Sequence, residues 1–255
     1  MASATGSPAQ VPIENNIRLN DESAPLLGGP GDVLQHPGEG LVSNLYKGTA
    51  WLAQAGVLLL VALVWSAVFS HPPLLPLFSP HPLLQSLGVV AAVEAVLVLQ
   101  PTATPQDKTL GARVHAGLQL LSFALFAAGV SVIEANKIRS HGAHLHSAHG
   151  VLGALTAAVL VVQYLFGLAV WAAPAWLFGR DDTVDRARAL WKQHRWAGYA
   201  AVLPLLLATV TTATATDYNV NVLDIRLWAV LVAAGLVVVG VYPRIHVRKL
   251  GLRQA

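Results

Sequence analysis

Four of the ten histidines in this 255-residue chain share one position in its pattern. His81, His115, His149 and His194 each stand at the start of one of four consecutive apolar runs, at separations of 34, 34 and 45 residues. About 20 residues cross the hydrocarbon of a bilayer, and a short loop makes up the rest. Successive histidines then alternate between the two sides of a membrane. His81 and His149 share the outer depth, and His115 and His194 share the inner one. An ionisable side chain within a bilayer costs about 2.5–3.5 kcal/mol on insertion scales. Four at one register call for a common purpose. Two imidazoles facing each other at one depth can ligate a haem iron from both sides, and helix bundles build cofactor sites from facing helices. The pattern predicts two such sites. Gly88, Gly117, Gly150, Gly153 and Gly198 would let a flat macrocycle approach the backbone.

The elements that must carry these histidines follow from composition. Charged residues make up 11% of the chain and apolar residues 55%, with a mean hydropathy of +0.56. Soluble domains carry about 25% charged residues, so the solvent of this chain is mostly lipid. Cysteine is absent, which removes disulfides, iron–sulfur clusters and thiolate ligands. Six apolar runs stand out, roughly 51–69, 82–99, 114–133, 151–171, 196–212 and 227–242. Prolines, a His-rich segment and a charged stretch break them apart. Solid runs fit helices, because a barrel would show alternation. The expected fold is an all-α membrane protein: six transmembrane helices, with a four-helix two-haem core in helices 2–5. Residues 1–45 read as a disordered tail, 46–248 as the transmembrane domain and 249–255 as a second tail.

Charge sets the expected orientation. Thirteen of the sixteen Lys and Arg fall on one side of this topology and three on the other. The positive-inside rule then puts both termini in the cytosol. The basic residues lie in short loops between apolar runs, so their partner is the bilayer and not nucleic acid.

Five segments carry a resemblance to a known family. They are Phe78-Ser-Pro-His81-Pro, the stretch from Glu94 to Pro101, Arg113-Val-His115, the stretch from Ala143 through His149 to Gly150, and His194-Arg-Trp-Ala-Gly198-Tyr. Together with the histidine spacing they resemble the short, domain-only members of the eukaryotic cytochrome b561 family, over about residues 46–248. The resemblance implies an outer haem b between the histidines of spans two and four. It implies an inner one between those of spans three and five. It further implies an ascorbate-dependent oxidoreductase. Single electrons would pass from cytosolic ascorbate to monodehydroascorbate or a ferric chelate on the far side.

Other residues take roles within that reading. An anionic donor needs cations at the inner mouth, where Lys108 and Arg113 precede His115, and Arg186, Arg188 and Lys192 precede His194. At the outer mouth, His141, His144 and His146 could hold a ferric complex or hydrogen-bond an ascorbate radical. Glu94, the one acid well inside a span, is expected to partner His115, His194 or a basic residue from behind the inner site. In the tail, Glu22-Ser-Ala-Pro-Leu26-Leu27 resembles an acidic dileucine sorting signal, which favours endosomal or vacuolar membranes over the plasma membrane. Two rivals remain: a metal transporter using the His-rich loop, and a haem b subunit of a larger electron-transfer complex. A self-contained protein, as a monomer or a homodimer, is the expectation.

Overall fold

The computed structural model describes residues 33–36, 38–172 and 183–246, without the side chains of 172 and 183–189. Helix α1 spans Ala50–Phe69, α2 Pro80–Leu99, α3 Pro105–Ser140 and α4 Ala148–Ala172. Helix α5 is composite: Thr183–Ala197, a π-helical turn at Gly198–Val202, then Leu203–Thr212. Helix α6 covers Leu227–Val241 and tightens into a 3-10 turn at Tyr242–Arg244. Among the described residues, six helices are long and apolar enough to cross a membrane, as the sequence predicts. They are apolar on every face: Leu58, Leu120, Val162 and Trp228 are more than 60% exposed, as lipid-facing side chains of a bundle are.

Helix α3 is longer than its apolar run. Thr104 caps it, accepting a hydrogen bond from the Asp107 amide at 3.1 Å and donating its own hydroxyl to the Asp107 carboxylate at 2.7 Å. Pro105 fills the first helical position, where a missing N–H costs nothing. The helix therefore starts nine residues before Val114, where the apolar run begins. At its other end Lys137 and Arg139 lie in the last turn, complementing the helix dipole. Lys108 and Arg113, expected in a loop, are helical.

Small residues set the closest packing. An added Cβ at Gly56 of α1 would lie 2.6 Å from the Ala233 carbonyl oxygen, and one at Gly240 would run into the Ala53 amide nitrogen. Helices α1 and α6 thus pack backbone to backbone, since van der Waals contact rather than a hydrophobic effect drives association in lipid. Helix α2 packs along α3 and α4 against α5, leaving the space between these two pairs bridged by the four histidines.

The π-helical turn has a visible cause. Pro204 has no N–H to give a carbonyl one turn earlier. The Tyr242 hydroxyl of the 3-10 turn donates instead to the Tyr199 carbonyl at 2.6 Å.

Packed structure also precedes Tyr46, where the transmembrane domain is expected to begin. Leu41–Leu45 forms a 3-10 helix, and Gln35 and Asn44 are buried. Asn44 Nδ2 donates to Gln35 Oε1 at 2.8 Å and to the Val98 carbonyl at 2.9 Å; Arg244 donates to the Asn44 carbonyl at 2.7 Å. These polar groups close the ends of α2 and α6, a role that hydropathy cannot signal. On the surface of the same segment Lys47 pairs with Glu39 and holds its carboxyl below the usual carboxylate range, helped by the His36 amide. The 249–255 tail and the Glu22–Leu27 motif lie outside the described residues.

Candidate haem-binding site

The four histidines come together in the predicted twos. The rings of His81 on α2 and His149 on α4 have centroids 6.1 Å apart, and those of His115 on α3 and His194 on α5 lie 6.4 Å apart. Metal–imidazole bonds are about 2.0–2.1 Å, and half a ring adds roughly 1.1 Å on each side. Two imidazoles on opposite faces of one metal then have centroids about 6.2–6.4 Å apart. Both pairs fit a single iron. Among the described residues, no three His, Cys, Asp or Glu side chains gather as a metal site; the histidines stand in twos.

Helix starts place the outer pair. Pro80 and His81 are the first residues of α2, and Ala148 and His149 the first of α4. The Ser147 hydroxyl oxygen accepts the Gly150 amide at 3.1 Å and fixes that start. The inner pair differs from expectation. His115 lies ten residues into α3, and His194 eleven residues into α5. Both apolar runs begin near a histidine, but both helices extend past it on polar residues.

Interhelical bonds orient three of the rings. His81 Nδ1 bonds to the Gly129 carbonyl at 2.9 Å, His115 Nδ1 to that of Ala95 at 2.7 Å, and His149 Nδ1 to that of Thr209 at 2.9 Å. With Nδ1 so engaged, Nε2 is the nitrogen left to ligate a metal. The bonds also set the spacing of the pairs. His81 lies level with Gly129, and His115 with Ala95, fourteen residues along α2 from His81. At 1.5 Å per residue the pairs are separated by about 21 Å along the helix axes. Between them the Tyr164 hydroxyl bonds to Ser122 Oγ at 3.1 Å, and Ser122 donates to the Gly88 carbonyl at 2.9 Å.

Of the expected glycines, Gly117 faces open space, with nothing within 4 Å of an added Cβ, whereas Gly88 does not. Gly88 packs against Phe126, whose ring an added Cβ would meet at 2.7 Å, so it serves helix packing. The glycine that touches one of the paired histidines is Gly167 on α4, where an added Cβ would lie 2.7 Å from His194 Cε1. It sits inside an unbroken apolar run and carries no polar signal.

The remaining candidates divide. The Glu94 carboxylate accepts from Gln54 Nε2 of α1 at 3.0 Å. That bond is a polar contact between α1 and α2, and the basic neighbour foreseen for Glu94 is Arg244, with which its carboxylate interacts electrostatically. Lys108 lies seven residues before His115, on the same helix face. Arg113 and Lys192 stand two residues before His115 and His194, which turns them to the other side of their helices. Arg113 lines a shallow groove with Pro105, Gln106, Thr109 and Leu110. The side chains of Arg186 and Arg188 lie outside the described residues. In the loop between α3 and α4, His144 Nδ1 meets Glu134 Oε2 at 2.7 Å, and His146 Nε2 stands 3.9 Å from Asp217 Oδ2. His141 caps α3 in a left-handed conformation, φ 52°. Sequence reading missed Glu134 and Asp217, which become neighbours of the loop only when α3 and the segment before α6 meet it.

The model of the eukaryotic cytochrome b561 family matches residues 80–220, more than half of the chain and all four paired histidines. The chain belongs to the eukaryotic cytochrome b561 family. A b561 cytochrome binds haem b, and the two histidine pairs are the residues here whose geometry suits it. Curated relatives include the lysosomal membrane ascorbate-dependent ferrireductase of Rattus norvegicus, 29% identical over 112 residues, which are 43% of this chain and 44% of the relative. The Mus musculus protein of the same name is 28% identical over 43% of this chain and 46% of its own length. This b561 chain thus spans less than half the length of the curated relatives it matches. No solved structure matches it.

Proposed function

We propose that this b561 protein is a two-haem transmembrane oxidoreductase. It passes single electrons from cytosolic ascorbate to monodehydroascorbate or ferric iron across the membrane. The observation that carries the reading is the pair of facing imidazole couples, each at single-iron separation, about 21 Å apart in one bundle. His81 and His149 hold the outer haem, and His115 and His194 the inner one. Haem b ligated from both faces would supply a one-electron iron couple with no open position, which suits electron transfer rather than oxygen activation.

The protein's own residues bind and orient. Carbonyls of Gly129, Ala95 and Thr209 fix three ring tautomers. Lys108 shares the His115 face, so it is the cation nearest in register to the inner site; with Arg186, Arg188, Arg113 and Lys192 it makes the inner mouth attractive to an anionic donor. His141, His144 and His146 form the outer mouth, and the names of the relatives support ferric iron as the acceptor there. The Lys/Arg distribution supports cytosolic termini. Lysosomal relatives and the Glu22–Leu27 motif support an endomembrane location.

A reduced-minus-oxidised spectrum with haem quantitation tests the reading. Two haems per chain, both reduced by ascorbate, are expected. One haem per chain, or none, would sink it. In oriented vesicles, ascorbate should reduce the protein faster from the face opposite residues 141–149; preference for the His-rich face would reverse the proposed orientation.

A further inference from the structure

A cation is buried at the end of α6. Arg244 is 1% exposed, and its Nη2 donates to two backbone carbonyls, that of Asn44 at 2.7 Å and that of Leu97 at 3.3 Å. A buried guanidinium is costly to desolvate, so its placement asks for a reason. What it holds is the Leu41–Leu45 turn, pressed against the end of α2. Asn44, fully buried, ties that turn further: its Nδ2 donates to Gln35 Oε1 at 2.8 Å and to the Val98 carbonyl at 2.9 Å. Gln35 in turn gives its amide to the Pro101 carbonyl at 2.9 Å. Pro101 and Thr102, in the connection between α2 and α3, are buried. The turn therefore grips both the last turn of α2 and the connection that leads into α3.

The grip reaches the face of α3 that carries Lys108. Lys108, Gly111 and His115 recur at three and four residues, so they share one face. Gly111 is where that face meets its support. An added Cβ there would lie 2.9 Å from Thr102 Cγ2, 3.2 Å from Leu99 Cδ1 and 3.8 Å from Leu41 Cδ2. The polar start of α3 thus leans on the connection and on Leu41, one helical turn from both Lys108 and His115. On its other sides Pro105, Gln106, Thr109 and Leu110 are exposed, and a helix start with so few buried contacts opens easily unless it is braced. We propose that Gln35, Leu41 and Asn44, held by Arg244, form a clamp that positions Lys108 at the inner mouth for an anionic donor. The inference rests on the donor side proposed above and extends it to residues that touch no donor. Asn44 and Arg244 are positioning residues. A braced Lys108 meets the donor without first losing conformational freedom, so the clamp acts on donor affinity and not on the electron step.

Steady-state reduction of the haem-loaded protein by ascorbate tests this. Asn44→Ala should raise the KM for ascorbate about five- to tenfold. Its kcat and haem content should hold, and the rate should depend less on ionic strength. Leu41→Ala leaves the hydrogen bonds of the clamp in place and should raise KM less. Val42→Ala, next to Leu41 but 70% exposed, should match the wild type. Lys108→Ala completes a cycle: because Asn44 acts through Lys108, adding Asn44→Ala to it should raise KM no further. Unchanged KM in both Asn44→Ala and Leu41→Ala overturns the proposal. So do fully additive effects of Asn44→Ala and Lys108→Ala, and so does a loss of haem with KM held. Hydrogen exchange of the wild-type protein supplies an independent check. The Gln35 amide, bonded to Pro101, should be protected together with the Lys108 amide, which donates to the Thr104 carbonyl at 3.0 Å. Unprotected exchange at Gln35 would overturn the clamp. Unchanged KM in Lys108→Ala would instead overturn the donor side on which the clamp rests.

Discussion

The outer and inner histidine pairs look alike by centroid distance, 6.1 and 6.4 Å, yet they are built differently. The outer imidazoles sit at helix starts, where proline and a serine cap fix the backbone. Both give Nδ1 to a carbonyl on the adjacent helix. The inner imidazoles sit ten and eleven residues inside helices that run on beyond the apolar span. One gives Nδ1 to a carbonyl; the other is wrapped by Gly167, Phe166 and Trp191. The outer site is therefore held mainly by backbone polar contacts, and half of the inner site by packing. Variants that remove a packing feature should damage the inner site and leave the outer one intact.

The ligands themselves give the largest effect. His81→Ala and His149→Ala should each halve haem content and give matching spectra, with the remaining haem still reduced by ascorbate. His115→Ala and His194→Ala should also halve it and match each other, but fast reduction by the donor should be lost, because the site nearest the donor is gone. Pyridine haemochrome quantitation and stopped-flow reduction read both outcomes. If His81→Ala resembled His115→Ala in both, the alternating-depth argument would be wrong.

That argument was legible because it needed only spacing. Solid runs and a 34-residue repeat of histidines fix six spans and the two levels at which imidazoles recur. The environment of each imidazole was not legible. Gly129, Ala95 and Thr209 act through backbone carbonyls, which every residue has, so no side-chain pattern marks them. Gly167 differs from its neighbours only by an absent methyl group. Glu94 was visible as an acid inside a span, but its partner depends on how α2 is turned, and hydropathy on an all-apolar helix does not report rotation. The true start of α3 was written in Thr104-Pro105-Gln-Asp107; reading the apolar run alone set the start at Val114.

Gly167→Ala should produce the next largest effect. The new methyl group would lie 2.7 Å from His194 Cε1, and the ring, fixed between Phe166 and Trp191, has little room to yield. Overpacking of this kind costs about 1–3 kcal/mol, which corresponds to roughly a 5- to 150-fold loss of inner haem affinity. Gly153→Ala is the comparison on the same helix near the outer pair. Its nearest neighbour is Thr209 Cγ2 at 3.7 Å, an ordinary contact, so haem content should hold. Haem dissociation to apomyoglobin, followed for each component, measures both. Equal loss in the two variants would remove the distinction between a packed inner site and a bonded outer one.

A smaller effect is expected at the level between the pairs. Tyr164→Phe removes a hydroxyl bonded to Ser122, while Ser122 keeps its bond to the Gly88 carbonyl. Loss of one such hydrogen bond costs about 0.5–1.5 kcal/mol, so thermal stability should fall slightly, with both haems retained. A change in only one haem's spectrum would place Tyr164 at that haem rather than between the two.

The smallest effect belongs to the outer mouth. His141→Ala, His144→Ala and His146→Ala combined should slow ferric reduction a few-fold and leave haem content and stability unchanged. None of the three is paired with another imidazole, so no ligand is lost. The contacts they give up are exposed: His144 with Glu134, and His146 at 3.9 Å from Asp217, both with side chains about half exposed or more on the histidine. Exposed ion pairs are worth about 0–1 kcal/mol, so the fold should not register their removal. Ferric turnover should respond, because Glu134 and Asp217 keep their charges while the neutral donors beside them are gone, which alters how a ferric complex is seated. A single addition, Glu134→Gln, separates seating from attraction. If the carboxylate attracts a cationic complex, Glu134→Gln should slow turnover further and weaken its dependence on ionic strength. If the acceptor is anionic, Glu134→Gln should speed it. Unchanged turnover in the triple variant would make residues 141–146 a solvent-facing turn, and the acceptor would then meet the outer site across another part of the rim.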